Sequence, residues 1–101
     1  MAQPQAAPWQ VALETSAPAL LKGTTVVREA IMEDGALSTK TKTLMTMLCD
    51  ALLAHSGGVA TIANRARGMG ATEEEIAETL GVAFLMGGLP ALVTGASAFQ
   101  D

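Results

Sequence analysis

Two glycine-containing turns around a short apolar segment constrain this chain more than any other feature. From Asp50 to Glu75 the sequence reads DALLAHSGGVATIANRARGMGATEEE. Apolar residues repeat with helical three-and-four spacing on both sides of Gly57-Gly58, so we expect this pair to supply the positive φ of a tight corner between two helices. We therefore predict a central helix hairpin around which the other helices pack.

A clear start signal for another helix follows the hairpin. Gly70 ends the second apolar pattern, and Thr72 stands three residues before Glu75. This is the spacing of a capping box, in which the threonine hydroxyl accepts from the Glu75 amide and the glutamate carboxylate accepts from the Thr72 amide. We predict a helix from Glu73 to about Met86.

Apolar spacing and capping residues predict helices along the rest of the chain. Residues 1–8 are rich in Ala, Gln and Pro, and we expect them to form a flexible lead-in to a single domain over residues 9–101. The expected helices cover about 9–15, 18–32, 39–54, 59–69, 73–86 and 90–99. Ser38 is the predicted N-cap of the third. No run alternates like a β-strand, so the chain is predicted to be all-α, with five or six helices.

The same spacing predicts which side chains are buried. On the central helix these are Leu44, Leu48, Ala51, Leu52 and His55, and on the next helix Val59, Ile62, Ala63, Ala66 and Met69. The methionines on helices are interpreted as core filler: Met45, Met47, Met69 and Met86.

Charge and hydropathy narrow the possible partners. The net charge is −4 and the six basic residues are scattered, which argues against nucleic-acid binding. Half of the residues are hydrophobic, 16% are charged and the mean hydropathy is +0.35. A small monomer could not hide that much apolar surface, so we expect the chain to bind a second copy of itself.

The uncharged stretch from Thr79 to Phe99 is long enough to raise the question of a membrane span. Gly87-Gly88 and Pro90 interrupt it, so we predict two short helices buried in an oligomer and no membrane partner. With one cysteine and no pattern of a signal peptide, the expected location is cytoplasmic.

Several segments of the sequence resemble one known family. They are ALSTKTKTLM, the hairpin, GATEEEIAETLGVAFLMGG and LPALVTGASAF. From about Val11 to the C-terminus the chain resembles the carboxymuconolactone decarboxylase family, which includes the AhpD-like alkylhydroperoxidases. The resemblance implies an AhpD-like helical bundle whose central hairpin packs against its copy in a neighbouring subunit, commonly in trimers or hexamers.

Redox members of this family carry Cys-x-x-Cys at the hairpin, a downstream histidine and an upstream glutamate. Counting back from Gly70 gives the equivalent positions in this chain. The cysteine positions hold His55 and Gly58, the histidine position holds Ile62, and the glutamate position holds Thr43. None of the four redox groups is present, so the resemblance implies a member with a degenerate redox site.

His55 is the main candidate for chemistry. It is the one histidine of the chain, and imidazole is suited to general acid or base catalysis near neutral pH. Its alternative role is structural, as a cap on the C-terminal end of the central helix. Asp50 lies five residues earlier, well around a continuous helix, so we expect no Asp50–His55 dyad within one chain, whereas a dyad across a subunit boundary stays open.

The first functional hypothesis is a non-redox homo-oligomer with an apolar pocket near the subunit boundary. The pocket would take a small organic acid or lactone, with His55 as proton carrier. The proposed ligand contacts are Thr43, Thr46 and Ser56. The sequence offers no metal-binding set and no cofactor motif, so neither a metal nor a cofactor is expected.

Two alternatives to this hypothesis stay open. Cys49 could retain hydroperoxide reduction with a thiol from another protein, whereas its structural interpretation is a small buried hydrophobe. The protein could also be a structural or partner-binding oligomer without catalysis, because activity depends on a site and not on a fold.

Overall fold

A computed structural model describes residues 7–100, which form helices and no strand. The α-helices are α1 (Pro8–Ser16), α2 (Pro18–Met32), α3 (Thr39–Leu52), α4 (Ser56–Gly68), α5 (Glu73–Gly87) and α6 (Leu89–Gly95), followed by a 3-10 helix over Ala96–Phe99. The all-α prediction is confirmed. Most of the expected lead-in over residues 1–8 lies outside the described residues, and of the two that are described, Ala7 is the N-cap of α1 and Pro8 its first residue.

The chain divides into two compact units after Glu33. The first contains α1 and α2, which pack against each other. Pro18 is the first residue of α2, where its fixed φ fits and its missing N–H is not needed. Thr24 and Thr25 remain helical, and both hydroxyls donate to the Leu21 carbonyl at 2.9 Å. Neither helix contains a buried residue.

The second unit holds the core. Within it α3 packs against α4, α5 and α6, and the 3-10 helix packs on α4. The largest fully buried side chains are Met47, Ile76, Val59 and Thr43. The predicted face of α4 is confirmed for Val59, Ile62, Ala63 and Ala66, whereas Met69 beyond the helix end is exposed.

The buried face of α3 differs from the prediction. It consists of Thr43, Met47 and Ala51, with Leu44 and Leu48 partly buried, whereas Leu52 and His55 are exposed. Apolar residues cover more than half of the circumference of α3, so spacing alone does not determine which part of that arc faces the core. Thr43 tolerates burial because its hydroxyl donates to the Thr39 carbonyl at 2.8 Å. Among the four methionines interpreted as core filler, Met47 is buried, and the interpretation is wrong for Met45, Met69 and Met86.

The start of α5 has the predicted capping box. Thr72 Oγ1 accepts from the Glu75 N–H at 3.0 Å, and Glu75 Oε1 accepts from the Thr72 N–H at 2.8 Å. Gly70, just before it, has the positive φ of 93° that ends the preceding turn. Lys40 of α3 also donates to the Glu75 carboxylate, at 3.0 Å. The hydrogen bond from Thr72 and then the one from Lys40 lower the pKa of Glu75.

Arg67 joins the end of α4 to two other elements. Its Nε and Nη2 donate to the two carboxylate oxygens of Glu73 at 2.7 Å. Nη2 also donates to the Ala98 carbonyl at 2.8 Å. The Glu73 partner raises the pKa of Arg67, and Arg67 lowers the pKa of Glu73. The 3-10 helix is thereby held against α4 and the start of α5.

The uncharged stretch near the C-terminus forms separate short helices. Gly88, with φ of 74°, separates α5 from α6, and Pro90 lies in the first turn of α6. The last helix was expected to continue to Phe99, but it tightens into the 3-10 helix after Gly95. Over residues 7–100, no helix combines the length and the hydropathy needed to cross a membrane.

Candidate functional site

The chain reverses between α3 and α4 within three residues. The His55 N–H donates to the Asp50 carbonyl at 2.8 Å, and the Ala54 N–H to the Ala51 carbonyl at 3.4 Å. This is the hydrogen-bond pattern of a Schellman helix end, which needs a left-handed residue, and Ala54 has φ of 63°. The expectation that Gly57-Gly58 supply the positive φ is therefore wrong, because both glycines lie in the first turn of α4.

The same turn brings the side chains of Asp50 and His55 together. His55 Nδ1 lies 3.0 Å from Asp50 Oδ1. The imidazole is 58% exposed and the carboxylate side chain 22% exposed. The expectation of no dyad within one chain is wrong, since it assumed a continuous helix. In the structure α3 ends at Leu52, and the left-handed Ala54 returns His55 to the helix end, where its backbone N–H caps α3.

Gly58 leaves the space in which the Asp50 carboxylate lies. A Cβ atom at position 58 would stand 2.6 Å from Asp50 Oδ2, whereas one at Gly57 would meet nothing within 4 Å. The carboxylate therefore rests against the third residue of α4, at the helix end whose partial positive charge favours an anion. A side chain at position 58 would displace the Asp50 carboxylate because of this close approach, and the φ of Gly58 plays no part.

Two of the three predicted ligand contacts lie near this pair in the chain. Ser56 is the exposed first residue of α4 and follows His55 directly. Thr46 lies one helical turn before Asp50 on α3, is partly exposed, and donates its hydroxyl to the Lys42 carbonyl at 2.9 Å. Both hydroxyls remain predicted ligand contacts.

Thr43, the third predicted contact, lies in the core. It is 1% exposed, and its Oγ1 lies 3.4 Å from Met69 Sδ in addition to its bond to the Thr39 carbonyl. A ligand reaches this hydroxyl only if the surrounding side chains move. Its role in binding stays a prediction.

Cys49 is exposed, so its interpretation as a buried side chain is wrong. It precedes Asp50 by one residue, which places the two about 100° apart around the helix axis. The chain has one cysteine, so a thiol that resolves an oxidised Cys49 must come from another molecule.

The positions that match the redox residues of the family form no proton relay here. Ile62 and Thr43 are buried, Gly58 has no side chain, and His55 occupies the remaining position. Within residues 7–100, no three His, Cys, Asp or Glu side chains lie close enough together to hold a metal ion. The chemistry that the arrangement offers is proton transfer by an imidazole beside a carboxylate.

Asp50 is the member of the candidate site that the sequence analysis does not predict. Its five-residue spacing from His55 fits the hydrogen bond that closes a Schellman end. Glycine normally marks such an end, and alanine occupies that position here. The usual sequence signal is therefore absent. The glycine pair predicts the positive φ at Gly57, which lies three residues beyond Ala54.

Comparison with known proteins agrees with this fold and with the resemblance of the sequence. The sequence profile of the carboxymuconolactone decarboxylase family matches residues 18–101. The structure is similar to the crystal structure of the apo form of a carboxymuconolactone decarboxylase family protein from Legionella pneumophila. The TM-score is 0.84 and the sequence identity 33%, over 89% of this chain and 80% of that one. No curated protein sequence matches the chain significantly. The chain belongs to the carboxymuconolactone decarboxylase family.

Proposed function

We propose that this protein is a non-redox member of its family that binds a small organic acid or lactone and uses His55 as proton carrier. The observation that carries the proposal is the contact between His55 and Asp50, at 3.0 Å, with 58% of the imidazole side chain exposed. A carboxylate partner orients the ring, and an imidazole side chain can both accept and return a proton.

The chemistry is proton transfer next to a carbonyl group. When a lactone acid loses its carboxylate, the bond between the ring carbon and the carboxylate breaks and CO₂ leaves. The electron pair is delocalised into the lactone carbonyl as an enolate, and a ring carbon conjugated with that carbonyl then takes up a proton, which restores the carbonyl. In this proposal the His55 imidazolium gives that proton and regains one from water. Ser56 and Thr46 are the hydroxyls that bind the ligand, and Thr43 joins them if the core around it opens.

Self-association is part of the same proposal, with a trimer or hexamer as the expected assembly. Large apolar side chains at the junction of α5 and α6 support it, because they are exposed to solvent in the single chain. The most exposed are Leu85, Met86, Leu89 and Val93. Their burial against a second copy is favourable, and it supplies the boundary at which a pocket could form.

The exposure of Cys49 favours a second candidate function, hydroperoxide reduction. The thiolate would attack one peroxide oxygen, the O–O bond would break with release of an alcohol, and Cys49 would become a sulfenic acid. A thiol of another protein would then displace water to form a mixed disulfide, and a further thiol would release reduced Cys49.

One set of variants separates these functions. The parent, His55→Ala and Cys49→Ser proteins are checked for subunit number by native mass spectrometry. They are then assayed for CO₂ release from carboxymuconolactone and for consumption of cumene hydroperoxide with dithiothreitol. We expect decarboxylation by the parent and by Cys49→Ser, and a loss of about 100-fold or more in His55→Ala, the scale of a missing general acid.

Each alternative predicts a different result. Full decarboxylation by His55→Ala removes His55 from the mechanism. Hydroperoxide reduction that disappears in Cys49→Ser alone supports the second function. An intact oligomer with no turnover of either compound and no retained small molecule favours the partner-binding protein without catalysis.

A further inference from the structure

We propose that Asp50 is a positioning residue that holds neutral His55 in its Nδ1–H tautomer, which makes Nε2 the nitrogen that exchanges protons with a ligand. Gly58 is the residue that makes room for this arrangement. The inference rests on the proposed function in one respect, the use of His55 as proton carrier. The tautomer itself follows from the geometry alone.

The tautomer follows from the donors and acceptors of the pair. An ionised carboxylate only accepts hydrogen bonds, and a neutral imidazole has a single N–H. Because Asp50 Oδ1 lies 3.0 Å from Nδ1 of His55, the proton belongs on Nδ1. Nε2 then carries the free lone pair. Neutral imidazole in water prefers the opposite tautomer, so Asp50 reverses the intrinsic preference of the ring.

The backbone and the packing fix the carboxylate in place. The main-chain hydrogen bond from the His55 N–H to the Asp50 carbonyl, at 2.8 Å, closes the turn and holds the two residues together. Oδ1 faces the imidazole and Oδ2 faces Gly58, where an added Cβ would come within 2.6 Å. Each side of the carboxylate therefore has a neighbour that restricts its rotation.

The imidazole nitrogen signals test this assignment directly. The chain has one histidine, so the ¹⁵N spectrum of its side chain reports His55 alone. Full-length untagged protein is measured by long-range ¹H–¹⁵N correlation at increasing pH until the two nitrogen shifts no longer change, so that the spectrum is that of the neutral ring. We expect a pyrrole-type shift for Nδ1 and a pyridine-type shift for Nε2 in the parent. In Asp50→Ala we expect the pyridine-type shift for Nδ1 and the pyrrole-type shift for Nε2.

Two glycine substitutions form a matched pair for the role of Gly58. Gly58→Ala and Gly57→Ala each add one methyl group to the first turn of α4, but only the first meets the Asp50 carboxylate. We expect Gly58→Ala to give the spectrum of Asp50→Ala and Gly57→Ala to give that of the parent. A pyrrole-type Nε2 in the parent, or the parent spectrum in either Asp50→Ala or Gly58→Ala, overturns the proposal.

Turnover separates the failure of this inference from the failure of the proposed function. We expect kcat for carboxymuconolactone to fall by up to about 100-fold in Asp50→Ala, the lower end of what a positioned general acid contributes, with little change in KM. If His55→Ala retains turnover while the tautomers behave as expected, the proposed function fails and Asp50 still positions the ring. If His55→Ala is inactive but Asp50→Ala keeps the parent tautomer, the positioning role fails and the function stands.

Discussion

Ala54 is the one non-glycine residue with a positive φ among residues 7–100. A left-handed conformation costs an L-residue roughly 1–2 kcal/mol, because Cβ crowds the following carbonyl oxygen. Glycine avoids this cost, although it adds about 0.4–1 kcal/mol of entropy to the unfolded chain. We therefore expect Ala54→Gly to raise the free energy of unfolding by up to about 1.6 kcal/mol, measured by urea denaturation.

Ala77→Gly is the matched control for Ala54→Gly. Ala77 is exposed in the interior of α5, where glycine lowers stability by about 1 kcal/mol. Replacing alanine with glycine should thus raise the free energy of unfolding at position 54 and lower it at position 77. A loss of stability at position 54 as large as at position 77 would contradict the left-handed turn and, with it, the route by which His55 reaches Asp50.

Gly70 and Ala54 show which part of the turn geometry could be predicted from the sequence and which part could not. Gly70 was predicted to end a helical pattern and has φ of 93°, because glycine at a helix end is a direct sign of a left-handed residue. Ala54 gives no such sign, since alanine is the best helix former. The sequence therefore identified His55 as the candidate but not Asp50 as its partner, which is visible only once the turn is placed.

At the scale of elements, the start of α5 predicts how stability depends on pH. The pKa of Glu75 is lowered by the Thr72 backbone N–H and then by Lys40, from an ordinary value of 4.5. Because the folded pKa lies below the unfolded one, the stabilisation is fully present above about pH 4.5 and is lost as the pH falls through the folded pKa. Glu73 and Asp34, whose pKa values are also lowered, add to the same trend.

Glu75→Gln isolates the contribution of this carboxylate. Glutamine can still accept from the Thr72 N–H in a capping box, but it does not titrate. We expect the fall in melting temperature between neutral pH and about pH 3 to be smaller in Glu75→Gln than in the parent, as measured by circular dichroism. Glu74→Gln changes the same charge one residue earlier on an exposed side chain and should keep the parent slope. If the melting temperature falls equally with pH in all three proteins, the Glu75 carboxylate does not contribute to the pH dependence of stability.

Helix bounds were predictable to within a few residues where caps are explicit. Ser38 accepts from the Thr41 N–H at 3.1 Å, and Thr72 and Glu75 form their box, so α3 and α5 begin where their sequence signals stand. The side of α3 that faces the core was less predictable. Its core face includes Thr43, a polar residue that is satisfied by its own helix, and leaves Leu52 outside.

At the scale of the whole molecule, the uncharged region from Thr79 onward is the part of the chain that supports the proposed self-association. Within the second unit this region contributes little to the core beyond Leu80, Ala83, Ala91 and Ala98, all small except the first. Its larger side chains lie outside, including Phe84, Leu85, Met86, Leu89 and Val93. Exposed apolar side chains in a segment without charges are suited to contact with the same side chains on another copy.

Leu85→Glu tests that self-association directly. Leu85 is 78% exposed in the single chain, so a charged side chain at this position should leave the fold intact and oppose burial in an interface. We expect native mass spectrometry and light scattering to report a smaller assembly for Leu85→Glu than for the parent, with an unchanged circular dichroism spectrum. Ala77→Glu adds the same charge to an exposed position nearer the acidic start of α5 and should keep the parent assembly. If Leu85→Glu keeps the full assembly, subunits do not meet through the junction of α5 and α6. If the parent protein is already monomeric, the proposed self-association is wrong, and so is the subunit boundary at which the ligand pocket is proposed.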